Sequence, residues 1–156
     1  MAVKLVKPIN HKKVVKITNQ DFEAKMRELR VNSDIAVAVS GGPDSLALMH
    51  LSNRYALNNN INLTVLSIDH GIRAESSKEI VWLKKVAKKN KINFYSTKLK
   101  KKINSSNTLS KARTLRYEAL SKYCNKKKIK FLLTAHHLDD EIENFLMRLV
   151  RGSGIK

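Results

Sequence analysis

Ser40-Gly41-Gly42-Pro43-Asp44-Ser45 packs two hydroxyls, a carboxylate, paired glycines and a proline into six residues. An apolar, β-branched run, Ile35 to Val39, precedes it, and a helix-like run from Leu46 to Leu51 follows. A strand, a tight turn and a helix start in that order make an anion site, because N–H groups at the turn point outward and the helix dipole favours negative charge. Gly41 and Gly42 let a phosphate come close, and Pro43 fits a first-turn position where its missing N–H costs nothing. Ser45 adds a hydroxyl, and Asp44 adds a carboxylate suited to holding Mg²⁺ against phosphate oxygens. The chain has no Gly-Lys-Ser/Thr phosphate loop and no G-x-G-x-x-G fingerprint, which argues against a Walker-type NTPase or a dinucleotide enzyme.

A second dense run is His136-His137-Leu138-Asp139-Asp140-Glu141-Ile142-Glu143. Asp139 and Glu143, four residues apart, share a helical face. Two carboxylates there repel unless a cation, metal or ammonium, sits between them. For Asp140 and Glu141 a first helical turn enriched in acids is an equal explanation. The histidines also allow a metal-dependent phosphohydrolase site, which would need further ligands. His50 reads as helix packing rather than ligation. Arg113 with Arg116, and Arg148 with Arg151, are spaced to form guanidinium clamps for phosphate.

Positioning these groups requires strands alternating with helices. Thr18 or Asn19 can cap a short helix through Leu29. Strands are expected at Ile35–Val39, Asn62–Ile68, Ile92–Leu99 and Ile129–Thr134. Helices are expected from Asp44 to about Ala56, from Ser76 with a capping-box Glu79, from Leu109 to about Tyr123, and from Leu138 to Val150. Such alternation predicts an α/β fold, a doubly wound parallel sheet with helices on both faces. Ligands in such sheets bind beyond the carboxyl ends of the strands. Three polar clusters fall at those ends: Ser40 to Ser45, Asp69-His70-Gly71-Ile72-Arg73, and Ala135 to Asp140.

The 156 residues fit one domain, with 1–18 a basic arm or short strand and 19–156 the main body. Charge is the outlier, with 31 Lys and Arg against 13 Asp and Glu, net +18. That field favours nucleic acid, although a Lys-, Asn- and Ile-rich composition also fits an AT-rich genome. Cys124 is the only cysteine, so no disulfide or four-thiolate site forms within the chain, which suits a reducing cytoplasm. No apolar run has the length to span a bilayer, and residues 1–18 lack a signal peptide's apolar core.

The six-residue loop is the signature of the N-type ATP pyrophosphatases. Three further stretches narrow the resemblance: Asp69 to Arg73, Ala112-Arg113-Thr114-Leu115-Arg116-Tyr117, and Ala135 through Glu143 into Leu146-Met147-Arg148-Leu149-Val150-Arg151-Gly152-Ser153-Gly154. In this order they resemble the N-terminal catalytic domain of the tRNA(Ile)-lysidine synthases. The resemblance implies an adenine nucleotide alpha hydrolase-like sheet of strand order 3-2-1-4, with a fifth strand and C-terminal tRNA-selecting domains expected beyond this chain. It implies ATP and Mg²⁺ as cofactors, and free L-lysine and a tRNA(Ile) with a CAU anticodon as partners. ATP would adenylate C2 of the wobble cytidine, and lysine would displace AMP to give lysidine. A homodimer is compatible with the sequence.

On that resemblance Ser40, Gly41, Gly42, Pro43, Asp44, Ser45, Asp69 and His70 hold ATP, and Asp44 with Asp140 holds Mg²⁺. Arg113 and Arg116 neutralise the adenylate, and Asp139 and Glu143 take the lysine ammonium. Asp44, Arg113, Arg116 and Asp139 thus form the catalytic set, and Arg73, Arg148 and Arg151 meet RNA. A lone cysteine sets the chain apart from thiolating relatives, which use paired cysteines. Three other readings stay open: a non-catalytic tRNA- or nucleotide-binding remnant, a metal phosphohydrolase, and an amidating or thiolating enzyme.

Overall fold

The structure is a computed structural model, and it describes residues 4–6, 17–69, 76–98 and 108–135. Its elements run β1 (Lys4–Val6), α1 (Asn19–Glu28), β2 (Ile35–Ala38), α2 (Pro43–Asn58), β3 (Leu63–Asp69), α3 (Ser76–Lys89), β4 (Asn93–Lys98), α4 (Thr108–Lys126) and β5 (Phe131–Thr134). All pairings are parallel, in the order β1-β5-β2-β3-β4. The four longer strands reproduce the expected 3-2-1-4 arrangement. The place beyond β5 is taken by Lys4–Val6, inside the stretch read as an arm or short strand.

Parallel neighbours need crossovers, and right-handed crossovers fix which face each helix covers. The path β2-α2-β3-α3-β4 moves one way across the sheet, so α2 and α3 share a face; the return β4-α4-β5 puts α4 on the other. The strands alternate to match. Ile35, Val37, Val39, Leu63, Val65, Phe131 and Leu133 join Met26, Met49, Tyr55, Leu83 and Ala87 in one core. Ala36, Leu66 and Leu132 face Leu120 and Cys124 in the second. Alanines at 36 and 38 leave the β2 surface low on this side.

Burial pushes the Cys124 thiol up to about 11, so the sulfur stays protonated at neutral pH. It belongs to the core under α4. Beside it, Tyr123 stacks on Tyr95 with ring centroids 4.1 Å apart. His50 is exposed on α2, not packed as expected: it falls on the solvent side of the stripe formed by Met49, Ser52 and Ala56.

α1 starts as its sequence predicts. The Thr18 hydroxyl accepts from the Asp21 N–H at 3.2 Å, and the Asp21 carboxylate accepts from the Thr18 N–H at 2.9 Å. That bonding holds the Asp21 carboxyl below its ordinary range. α3 starts at Ser76, as the sequence predicts.

Helix ends follow one rule that the sequence does not advertise. Arg30, Asn60, Lys91 and Lys128 all adopt left-handed backbone, with φ of 54, 52, 56 and 58°. After each comes a β-branched residue whose N–H reaches back five positions: Val31 to Met26, Ile61 to Ala56, Ile92 to Ala87 and Ile129 to Cys124, at 2.9 to 3.1 Å. These are Schellman closures with the apolar residue just beyond the turn. Glycine is the usual occupant of the left-handed position, and arginine or lysine there strains Cβ against its own carbonyl. Arg30→Gly, Lys91→Gly and Lys128→Gly should each stabilise by about 1 kcal/mol, with Asn60→Gly gaining least because asparagine tolerates this region. Urea unfolding of the triple variant checks this; a lower midpoint than wild type would contradict it.

Candidate functional site

With every strand parallel, the carboxyl ends form one rim. The order of the sheet reverses between β2 and β5: from β2 the chain goes outward to β3, and only later returns to β5 on its other flank. At that point a small cleft opens, lined by Val39 and Ser40, Ser45, Leu66 and Ile68, Arg116 and Leu120, and Thr134 and Ala135. The three polar clusters were expected on one rim, and their described members stand there.

The loop from β2 to α2 gives the cleft its polar wall. The Val39 N–H still donates to the Leu66 carbonyl at 2.9 Å, extending the ladder up to the turn. Gly41 then takes φ +93°, which an L side chain rarely adopts. Gly42 has φ −70° and ψ 158°, ordinary extended backbone, and acts as the α2 N-cap with no side-chain hydrogen bond. Its missing side chain answers to space rather than conformation: an added Cβ would meet only the Ser40 hydroxyl at 3.8 Å. Pro43 occupies the first helical turn, and Asp44 beside it is exposed. The contrast with α1 is direct. Thr18 and Asp21 close the start of α1 reciprocally, whereas α2 presents its positive end to the rim without a side-chain cap.

The two serines divide their work. Ser45 is buried, and its hydroxyl donates to the Gly42 carbonyl at 2.9 Å while accepting from the Ser40 N–H at 3.3 Å. Its proton is therefore spent on bracing the loop. The Ser40 hydroxyl lies 3.4 Å from that of Ser45 and belongs to an exposed residue that lines the cleft.

Asp69 closes β3 at the same rim and is only 7% exposed, with Lys98 of β4 opposite it in register. Arg116 lines the cleft; Arg113, one turn earlier on α4, is not among the lining residues. Both guanidiniums lie against the ring of Tyr117, at 5.7 and 5.8 Å from its centroid. Sequence reading gave no role to Tyr117 or to Thr134, which is 8% exposed at the end of β5. The i, i+4 spacing of Arg113 and Tyr117 was the available signal for the first. His70, Arg73, Asp139, Asp140, Glu143, Arg148 and Arg151 lie outside the described residues, as does the helix expected from Leu138. Among the described residues no three His, Cys, Asp or Glu side chains gather as a metal cluster.

The chain is 48% identical over 123 residues to the tRNA(Ile)-lysidine synthase of Rickettsia bellii, covering 79% of this chain and 29% of that protein. It is 41% identical over 139 residues to the namesake from Rickettsia typhi, covering 87% of this chain and 32% of the relative. The chain thus spans about a third of the length of these curated relatives. Among solved structures, the U34-tRNA thiolase NcsA from Methanococcus maripaludis, which carries a [4Fe-4S] cluster, superposes with a TM-score of 0.69 at 24% identity, over 85% of this chain and 50% of that one. That likeness shows a shared doubly wound fold. The sequence pattern of the PP-loop domain matches residues 10–156, nearly the whole chain, and so the protein belongs to the PP-loop ATP-binding family.

Proposed function

We propose that this chain is the adenylating unit of a tRNA(Ile)-lysidine synthase, joining free lysine to C2 of the wobble cytidine of a CAU-anticodon tRNA(Ile) at the expense of ATP. The observation that carries the reading is the β2–α2 loop. Its backbone is held open by Gly41, left bare at Gly42 and braced from below by Ser45, against the uncapped start of α2. The identity to the rickettsial enzymes supports the choice of reaction.

In this reading the loop N–H groups and the Ser40 hydroxyl hold the pyrophosphate end of ATP. The helix dipole stabilises the charge that develops as it leaves. The cytidine O2 attacks the α-phosphorus, the bond to pyrophosphate breaks, and the base carries AMP. Arg116 offsets charge on that phosphate from the α4 side, with Arg113 beside it. Asp69 and His70 face the nucleoside. The exposed Asp44, with Asp140, suits a hard divalent cation on phosphate oxygens; Mg²⁺ bound there would neutralise charge on the leaving group. Asp139 and Glu143 bind the lysine ammonium, and a carboxylate there takes the proton that the ε-amine must lose before it attacks C2 and AMP departs. Arg73, Arg148 and Arg151 meet the RNA backbone.

The test incubates the chain with ATP, Mg²⁺, radiolabelled lysine and a CAU-anticodon tRNA(Ile) transcript. Label is expected in the tRNA, together with tRNA-stimulated ATP–pyrophosphate exchange. Asp139→Asn should suppress lysine transfer by about a hundredfold while sparing exchange, since only the second half-reaction needs the amine. Absence of both label and exchange from folded protein would reject the proposal; equal damage by Asp139→Asn to both would reject the lysine site.

A further inference from the structure

The outer face of α3 has no part in the chemistry above, and it exposes two large apolar side chains side by side. Leu83 and Ala87 point into the core, and Val81 and Trp82 stand out at 56% and 47% exposure. Lys78, Val81, Trp82 and Lys85 border one shallow groove, at the i, i+3, i+4, i+7 spacing of a single helix face. Lys88 and Lys89 prolong the face, and Glu79 is the only acid on the helix. Trp82 is the only tryptophan in the chain. A large aromatic surface left in water beside unopposed lysines suits a partner that offers flat rings and negative charge together. A protein partner chosen for the apolar pair alone would not need the lysines, and a second copy of this net +18 chain would bring like charge against like. α3 begins seven residues after Asp69 and packs over β3 and β4, on the face of the sheet opposite α4.

We infer that the Lys78–Val81–Trp82–Lys85 face of α3 is an RNA-docking surface, on which an unpaired base stacks on Trp82 while lysines meet the flanking phosphates. This rests on the reading of the chain as a tRNA-modifying domain.

Because Trp82 is the sole tryptophan, its emission reports on the face directly. Titration with a CAU anticodon stem-loop should quench it, and Trp82→Ala should weaken binding of labelled stem-loop about tenfold while Trp82→Phe retains most of it. Lys78→Ala with Lys85→Ala should reduce the slope of log K against log salt by about 1.5. ATP binding should be unchanged in all three, which excludes misfolding. Stem-loop binding without quenching, or with Trp82→Ala equal to wild type, overturns the inference and leaves the lysidine proposal standing. Quenched, Trp82-dependent RNA binding by a chain that transfers no lysine upholds the inference and fails the lysidine proposal. Self-association abolished by Trp82→Ala, with no quenching by RNA, makes the face a dimer contact and overturns the inference.

Discussion

Gly42→Ala should leave the apo protein's stability within about 1 kcal/mol of wild type and still cut ATP–pyrophosphate exchange about a hundredfold. The two halves of that expectation come from different observations. At φ −70° and ψ 158° alanine is as comfortable as glycine, and its Cβ meets nothing closer than 3.8 Å. Alanine is a poorer N-cap than glycine, but it also has less freedom to lose on folding, and the two effects are of similar size and opposite sign. The space above Gly42 has no structural use, so filling it harms only what must come close to the loop. Gly41→Ala is the control. Nothing crowds that position either, but φ +93° is closed to alanine, so the loss there should appear in the apo protein as about 1–2 kcal/mol of stability. Thermal melting with and without ATP separates the cases: Gly42→Ala should melt like wild type without nucleotide and lose the shift with it. A Gly42→Ala protein that exchanges normally would remove the loop from the phosphate site.

Much of the fold was readable because local and long-range signals agreed. Thr18, one of the two caps the sequence offers, starts α1, and alternation of large and small apolar residues in Ile35–Val39 says that β2 is covered differently on its two sides. The strand order followed from the resemblance and was found as expected. What escaped was what depends on distant pairing or on orientation. The sequence leaves Lys4–Val6 between an arm and a short strand, and only its partner in β5, far along the chain, decides for the strand. The helix closures at Lys91 and Lys128 carry lysine where glycine would have announced them. Ser45 was legible as a loop hydroxyl, but not that its proton is turned inward to the Gly42 carbonyl. His50 looked like packing because its neighbours are apolar; helix phase, which turns it to solvent, decides otherwise.

The arginine pair shows the same limit at the site, and it yields the second large effect. Spacing puts Arg113 and Arg116 on one side of α4 and treats them alike. Both guanidiniums reach the Tyr117 ring, but Arg116 lines the cleft with Ser40, Thr134 and Ala135 and Arg113 does not. Arg116→Ala should therefore lower ATP–pyrophosphate exchange by about 10²–10³, the usual cost of removing one donor aimed at developing phosphate charge, whereas Arg113→Ala should cost less than about tenfold. Arg116→Lys keeps the charge but not the planar fork, nor as good a contact with the Tyr117 ring, and should fall between. Stability is a poor proxy here, since a partly buried arginine truncated beside an aromatic ring is expected to cost about 1 kcal/mol or less. The decisive comparison is between the two alanine variants at saturating ATP. If they lose activity equally, the guanidiniums act as one clamp above the rim and the cleft between β2 and β5 is not where the α-phosphate lies. If only Arg116 matters, its position against the Ser40 loop defines the two sides from which the phosphates are held.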